Sequence, residues 1–239
     1  MLGSAKHFYR ISSVILPTLW IGSVLVLLLG LYAGLVLAPA DYQQGDSFRI
    51  MYIHVPAAIL SQSIYVMMAS MGAVFLIWKI KLADVAMRTV APIGAALTFM
   101  ALLTGAIWGK PTWGTWWVWD ARLTSTLILM FLFLGVLAIR NAAGNGPAAG
   151  RMAAILSIIG VINLPIIKYS VDWWFTLHQP ASFSLTEKPA MPVEMWLPLL
   201  IMIIGFYGWF LALWIQRIRT EVLEEDANKD WVSQLVQQR

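Results

Sequence analysis

The sequence predicts an all-α membrane protein, a bundle of six transmembrane helices with both termini in the cytoplasm. Two compositional facts predict this class. Of the 239 residues, 60% are hydrophobic and only 12% are charged, whereas a soluble domain usually carries about 25% charged residues. The third observation is that the charges crowd between long uncharged stretches. Because lipid offers the backbone no hydrogen-bond partners, apolar stretches of about 20 residues cross the membrane as helices.

Six stretches are candidate membrane spans, and they form one integral membrane domain over residues 1–239. The fourth and fifth are short, so we expect flanking residues or local thinning of the bilayer to help them cross. The first begins with basic residues but is about twice as long as the core of a signal peptide, and we expect it to be retained. The spans cover approximately residues 11–38, 55–78, 89–108, 123–139, 152–167 and 195–216.

The distribution of lysine and arginine predicts the orientation of the bundle. Of the 16 basic residues, eleven fall on the side that holds both termini, and the positive-inside rule assigns that side to the cytoplasm. This bias accounts for the net charge of +4, which is therefore no evidence for nucleic-acid binding. The cytoplasmic tail, residues 217–239, is expected to be a solvated helical extension. The eleven are Lys6, Arg10, Lys79, Lys81, Arg88, Arg140, Arg151, Arg217, Arg219, Lys229 and Arg239.

The loop between the third and fourth spans, residues 108–122, concentrates tryptophan on the outer side. One interpretation is an aromatic belt, because Trp prefers the headgroup level. A belt, however, scatters one or two Trp at each helix end, whereas this loop holds five of the 13 in the chain. Indoles in such number favour a platform for a large, flat, apolar ligand. The five are Trp108, Trp113, Trp116, Trp117 and Trp119.

Two of the three histidines also lie on the outer side. His54 stands at the mouth of the second span and His178 in the third outer loop, while His7 lies in the cytoplasmic N-terminus. A lone interfacial histidine is usually only hydrogen-bonded, but two that flank a tryptophan platform favour iron ligation, since imidazole is a common axial ligand of haem. The chain has no cysteine, which excludes disulfides, thiolate sites and covalent haem attachment.

Haem would also need cations for its two propionates. Five basic residues on the outer side could supply charge-assisted hydrogen bonds, and the sequence does not choose among them. Asp120 has two further interpretations: it could cap the fourth helix, or it could pair with Arg122. The five are Arg49, Lys110, Arg122, Lys168 and Lys188.

The motif WGTWWVWDARLT, residues 113–124, resembles the tryptophan-rich WWD signature of membrane proteins that handle haem. The similarity is greatest to the CcmC family of the bacterial system I pathway of cytochrome c maturation. Four further stretches support that family, and with six spans and a matching length the resemblance covers nearly the whole chain. These stretches are residues 38–49, 54–58, 163–174 and 176–179.

The resemblance implies specific roles. His54 and His178 match the axial ligands of haem b, which is bound non-covalently at the periplasmic face of the inner membrane. Members of the family deliver haem to the chaperone CcmE and work with the transporter subunits CcmA and CcmB and the small protein CcmD. They are transport proteins rather than enzymes. The residues that match the porphyrin-contacting motif include Trp113, Trp116, Trp117, Trp119 and Asp120.

Two other functions compete with haem delivery. A b-type cytochrome subunit would carry its histidines inside the spans, whereas His54 and His178 lie at or beyond the outer boundary. A permease with an aromatic groove could bind another apolar or cationic solute, but this interpretation leaves the two histidines without a role. No ionisable residue lies inside the predicted spans, so the sequence indicates no charged route for haem across the membrane.

Overall fold

The chain folds as a helical bundle in the computed structural model, which describes residues 4–178 and 190–237. Six helical segments in those ranges are long and apolar enough to cross a membrane, which confirms the predicted class. The helices are α1 (Ala5–Tyr32, continued as a π-helical turn Ala33–Leu37), α2 (Met51–Trp78), α3 (Lys81–Trp113), α4 (Ala121–Ala143), α5 (Pro147–Gly160), α6 (Asn163–Trp173), α7 (Val193–Glu225) and α8 (Asp230–Gln237).

Several helices are longer than the apolar runs that predicted them. Helix α3 begins at Lys81 and α7 continues to Glu225, because charged residues at their ends pair inside the protein. Arg88 near the start of α3 bonds Glu221 and Glu225 on the last turns of α7. The beginning of the tail is therefore packed against α3, which corrects the expectation of a fully solvated extension.

The fifth span is divided into two helices rather than one. Helix α5 ends at Gly160, and α6 begins at Asn163. Between them the backbone N–H groups of Val161 and Ile162 bond the third residue back, not the fourth. Pro165 has no N–H with which to continue the ladder. Together the two helices span 27 residues, so this crossing needs no thinning of the bilayer.

The core lies among α2, α3, α4, α5 and α7. Phe133 of α4 packs so closely on Gly94 of α3 that any added side chain would collide with its ring, a use of small residues typical of membrane helices. Helix α1 lies at the edge and packs mainly on α7. Its N-terminal half contacts the C-terminal part of α7 and the start of α8, where Arg219 donates to the Tyr9 carbonyl oxygen and Trp231 packs on the Tyr9 ring. Both termini therefore lie at one end of the bundle.

Candidate functional site

A cavity of about 280 Å³ opens at the end of the bundle opposite to the termini. Its walls come from the outer ends of α2, α3 and α4, and both outer histidines line it. It extends inward from His54 to Gln62, which lies two helical turns or about 12 Å deeper along α2. The inner part of the wall is formed by small and apolar residues, including Ala58, Ala101 and Leu123.

The rings of His54 and His178 both border this cavity. Their centroids lie 6.5 Å apart and their planes are inclined by 34°. Two imidazoles on opposite sides of one metal ion would have centres about 6 Å apart, because each ligating nitrogen lies about 2.0–2.1 Å from a first-row metal. The separation therefore fits one iron ion between the rings. In the described part of the chain no cluster of three or more His, Cys, Asp or Glu residues could hold a metal ion instead.

The imidazole of His54 is oriented by α3. Its Nδ1 lies 3.0 Å from the carbonyl oxygen of Ala101 and 3.1 Å from the hydroxyl oxygen of Thr104. The Thr104 hydroxyl itself donates to the carbonyl oxygen of Met100 at 2.7 Å. Both oxygens near Nδ1 therefore act as acceptors, so Nδ1 carries the proton and Nε2 keeps a lone pair for a metal. Metal-ligating histidines in proteins are generally fixed in this way.

His178 is held by a different element. It lies in the segment that follows α6, with its ring 6.0 Å from the ring of Trp113. Its backbone N–H donates to the hydroxyl of Thr176 at 3.1 Å, and that hydroxyl donates to the carboxylate of Asp120. The third outer loop is thus tied to the start of α4.

Three of the five loop tryptophans line the cavity. Trp113 and Trp117 belong to the predicted platform, while Trp108 was counted in the tryptophan cluster without a separate role. Trp108 stands edge-on to His54, at 5.7 Å between ring centroids, and its indole N–H bonds Gln44. Trp116 and Trp119 lie outside the cavity lining and are 56% and 75% exposed. Trp119 instead packs edge-to-face on Trp117.

The indole N–H of Trp117 is buried and has no hydrogen-bond acceptor among the described residues. An unsatisfied buried donor costs about 1–3 kcal/mol, and an acceptor group on a bound ligand would relieve that cost. Arg122 lines the same cavity. Its guanidinium donates to Ser170 and to the carbonyl oxygen of Lys168. The Arg122 guanidinium and the Trp117 N–H therefore lie beside an apolar wall. This combination suits a ligand that is largely apolar and carries acidic groups.

Three of the other predicted basic residues, all within the described part of the chain, have partners away from the cavity lining. Arg49 donates to the carbonyl oxygens of Gly34 and Ala38, so it caps the end of the first span, and it also pairs with Asp46. Lys110 donates to the carbonyl oxygen of Gly114 at the end of α3. Lys168 lies over the Tyr169 ring. Lys188 falls outside the described residues.

Asp120 caps α4 by accepting from the backbone N–H of Leu123 at 2.8 Å, as one of its two interpretations predicts. Its second oxygen accepts from Thr176, and Asp120 and Arg122 do not form a salt bridge, so the second interpretation is not realised. Asp120 is not part of the cavity wall. The sequence reasoning missed Thr104 and Thr176. Thr104 carries no signal in its apolar helix, whereas Thr176, two residues before His178, has the spacing of a hydroxyl that bonds the N–H two residues on.

Comparison with known proteins agrees with this architecture. The family described as "Heme exporter protein C" matches residues 1–233. A protein of that name from Haemophilus influenzae is 51% identical over 229 residues, which cover 96% of this chain and 93% of the relative. The Escherichia coli K12 protein of the same name is 49% identical over 239 residues, covering 100% of this chain and 96% of the relative.

A more distant relative comes from the liverwort Marchantia polymorpha. It is described as a putative cytochrome c biosynthesis ccmC-like mitochondrial protein, and it is 41% identical over 199 residues, which cover 83% of this chain and 82% of the relative. The family match covers nearly the whole chain, and two of the relatives are about 50% identical to it. This chain is therefore a multi-pass membrane protein of the haem exporter protein C family.

Proposed function

We propose that this chain binds haem b non-covalently at the periplasmic face of the inner membrane and delivers it to the chaperone CcmE. Membership of the haem exporter family gives the chain a role in haem export for cytochrome c maturation. The more specific proposal rests mainly on one observation, the 6.5 Å separation of the His54 and His178 ring centroids across a cavity. In the proposal both imidazoles ligate the same iron.

The cavity walls support the rest of the assignment. Trp113 and Trp117 offer indole faces and edges to the porphyrin, and Arg122 with the Trp117 N–H offers partners for a propionate. Trp116, Trp119 and Asp120 do not line the cavity. In this proposal they would support the residues around the haem without contacting the porphyrin. Because Arg122 lines the cavity and Arg49 and Lys110 do not, Arg122 is the stronger candidate for propionate binding.

The chain carries haem as cargo rather than as a redox centre. Both proposed ligands lie at the outer end of the bundle, where a soluble acceptor can reach them. Delivery then requires one ligand to leave the iron as an acceptor approaches. Its partners in this role are the transporter subunits CcmA and CcmB and the small protein CcmD, as the resemblance of the sequence implies. In this role the chain transports haem and catalyses no reaction of its own.

Replacement of the histidines tests the proposal. His54→Ala and His178→Ala should each open one axial position, change the absorption spectrum and weaken haem retention, and imidazole added from solution should partly restore both variants. The double variant should purify nearly without haem, whereas the control His7→Ala should match the parent. A double variant with the haem content and spectrum of the parent would show that iron is held elsewhere.

The same preparation separates haem delivery from the alternative functions. A permease for another solute would show no Soret band at all. A b-type cytochrome subunit would be reduced rapidly by quinol and would keep its haem in the presence of a haem-accepting protein. A delivery protein should instead lose haem to the acceptor.

A further inference from the structure

The hydroxyl of Thr176 connects the tryptophan-rich loop to one of the two histidines. It donates to the carboxylate of Asp120 and accepts from the backbone N–H of His178. Asp120 is itself fixed, because its other oxygen caps α4 through the N–H of Leu123 and the residue is buried. The chain of hydrogen bonds therefore runs from a rigid helix end, through Thr176, to the backbone of His178.

The two histidines differ in how they are held. His54 lies inside α2, and two acceptors on α3 fix its ring at Nδ1. His178 lies outside regular secondary structure, five residues after α6 ends at Trp173. A ligand on a loop depends on local side-chain bonds for its position, whereas a ligand on a helix is positioned by the helix itself.

We propose that Thr176, held by Asp120, is a positioning residue for His178 and decides how firmly that imidazole stays on the iron. The proposal rests on the proposed haem site and makes His178, not His54, the ligand that leaves during delivery. It also gives the acidic residue of the tryptophan motif a role at a distance from the porphyrin. A charge-assisted hydrogen bond is about twice as strong as a neutral one, so the loss of this link loosens His178, although Thr176 itself is not among the residues that line the cavity.

The test uses the full-length protein, purified with its haem, and three threonine variants. Thr176→Val removes the hydroxyl, Thr176→Ser keeps it, and Thr98→Val is the control, because Thr98 is buried and its hydroxyl bonds only its own helix. We expect Thr176→Val to shift part of the iron from low-spin to high-spin and to speed haem transfer to excess apomyoglobin by roughly tenfold. Thr176→Ser and Thr98→Val should stay within about twofold of the parent.

A comparison in two backgrounds separates positioning from general damage. If Thr176 acts only through His178, Thr176→Val should change nothing further in a His178→Ala protein but should accelerate haem loss in a His54→Ala protein. Equal effects in both backgrounds, or parental spin state and transfer rate in the single variant, would overturn the proposal. Asp120→Asn keeps the helix cap and should act in the same direction, so it carries the test if Thr176→Val does not accumulate.

Failure of the proposed function has a different signature. In that case the parent and the two histidine variants would hold the same amount of haem with the same spectrum. If only the positioning proposal fails, the histidine variants will still be defective in haem binding, but Thr176→Val will behave like the parent.

Discussion

The imidazole of His54 is oriented by contacts with α3, the neighbouring helix, rather than by its own helix. Besides the acceptors at Nδ1, Gly105 of α3 lies against the ring. A Cβ atom built on Gly105 would stand 3.0 Å from Cε1 of His54 and 3.4 Å from Nδ1. The absence of a side chain at this position is therefore what leaves room for the imidazole between the two helices.

We predict that Gly105→Ala displaces the His54 ring and lowers haem retention, because the added methyl group meets the imidazole at less than ordinary contact distance. Haem content per protein after purification measures the effect. Gly22→Ala is the matched control, since nothing lies within 4 Å of its added Cβ. It should keep haem and gain up to about 1 kcal/mol of helix stability. Equal haem content in both variants would contradict the assigned contact.

Two tryptophans of the loop differ in their relation to the cavity: Trp117 lines it and Trp116 does not. Trp117→Ala should weaken haem binding by about tenfold, because an aromatic contact contributes roughly 0.5–1.5 kcal/mol beyond its buried area and a buried N–H donor is lost with it. Trp116→Ala should change binding little, since Trp116 is exposed and outside the cavity lining. Haem titration of both variants measures the two affinities. A larger loss of affinity in Trp116→Ala than in Trp117→Ala would show that the haem does not bind against Trp117.

The sequence predicted the residue types of the site better than their partners. His54, His178 and the tryptophan loop stand out as unusual residues near the ends of apolar runs, so pattern alone finds them. The partner of each cation is not local: Arg49 bonds carbonyl groups of the preceding span, and Arg122 bonds Ser170 on α6. Only tertiary packing decides which cation borders the cavity.

Buried charges join the helices at the end of the bundle that holds both termini. Asp84 of α3 pairs with Arg140 of α4, and Arg88 of α3 pairs with Glu221 and Glu225 of α7. Both arginines are buried, and in the part of the chain that the structure describes each keeps two side-chain nitrogens without a hydrogen-bond partner. These pairs fix α3 against two neighbours, which in turn sets the outer end of α3 where it supports His54.

We predict that Asp84→Ala lowers the stability of the purified protein by about 3–5 kcal/mol, because it leaves the buried charge of Arg140 uncompensated. Thermal unfolding in detergent measures this loss. Replacing Asp84 and Arg140 together by Leu and Met should cost much less. The control Lys229→Ala removes an exposed partner of Asp226 and should change stability by less than about 1 kcal/mol. A mild effect of Asp84→Ala would show that the pair contributes little.

The helix boundaries show where apolar runs mislead. An apolar run is bounded by charged residues, so the sequence predicts that the third span begins at residue 89 and that the sixth ends at residue 216. The helices continue because Arg88 and Glu221 neutralise each other inside the protein. The break between α5 and α6 has the opposite character. It lies within an apolar run, where Gly160 and Pro165 are the local signs of it.

At the scale of the whole molecule, both termini lie at one end of the bundle and the two histidines at the other. Contacts of α1 with α7 and α8 fix the first relation, and the cavity fixes the second. The composition of the chain predicted this division, since six spans return the chain to its starting side. Which end faces the cytoplasm is still a prediction from the eleven-to-five distribution of basic residues.

Reporter fusions test the orientation. Fusions after Arg239 and within residues 140–151 should report the cytoplasm, and a fusion near Gln179, outside the described residues, should report the periplasm. The reason is that cytoplasmic loops retain an excess of lysine and arginine. A periplasmic signal from the C-terminal fusion would reverse the orientation and would bring the histidines to the cytoplasmic side, where a periplasmic chaperone has no access.

In the proposed site, His54 and His178 hold one haem iron between them. Magnetic circular dichroism and electron paramagnetic resonance of the parent protein, purified with its haem, test it most directly because they identify axial ligands. We predict a low-spin iron with two imidazole ligands in the parent, and a single remaining imidazole in both His54→Ala and His178→Ala. A parent iron with one or no imidazole ligand, or a two-imidazole signal that survives in either variant, would contradict the account.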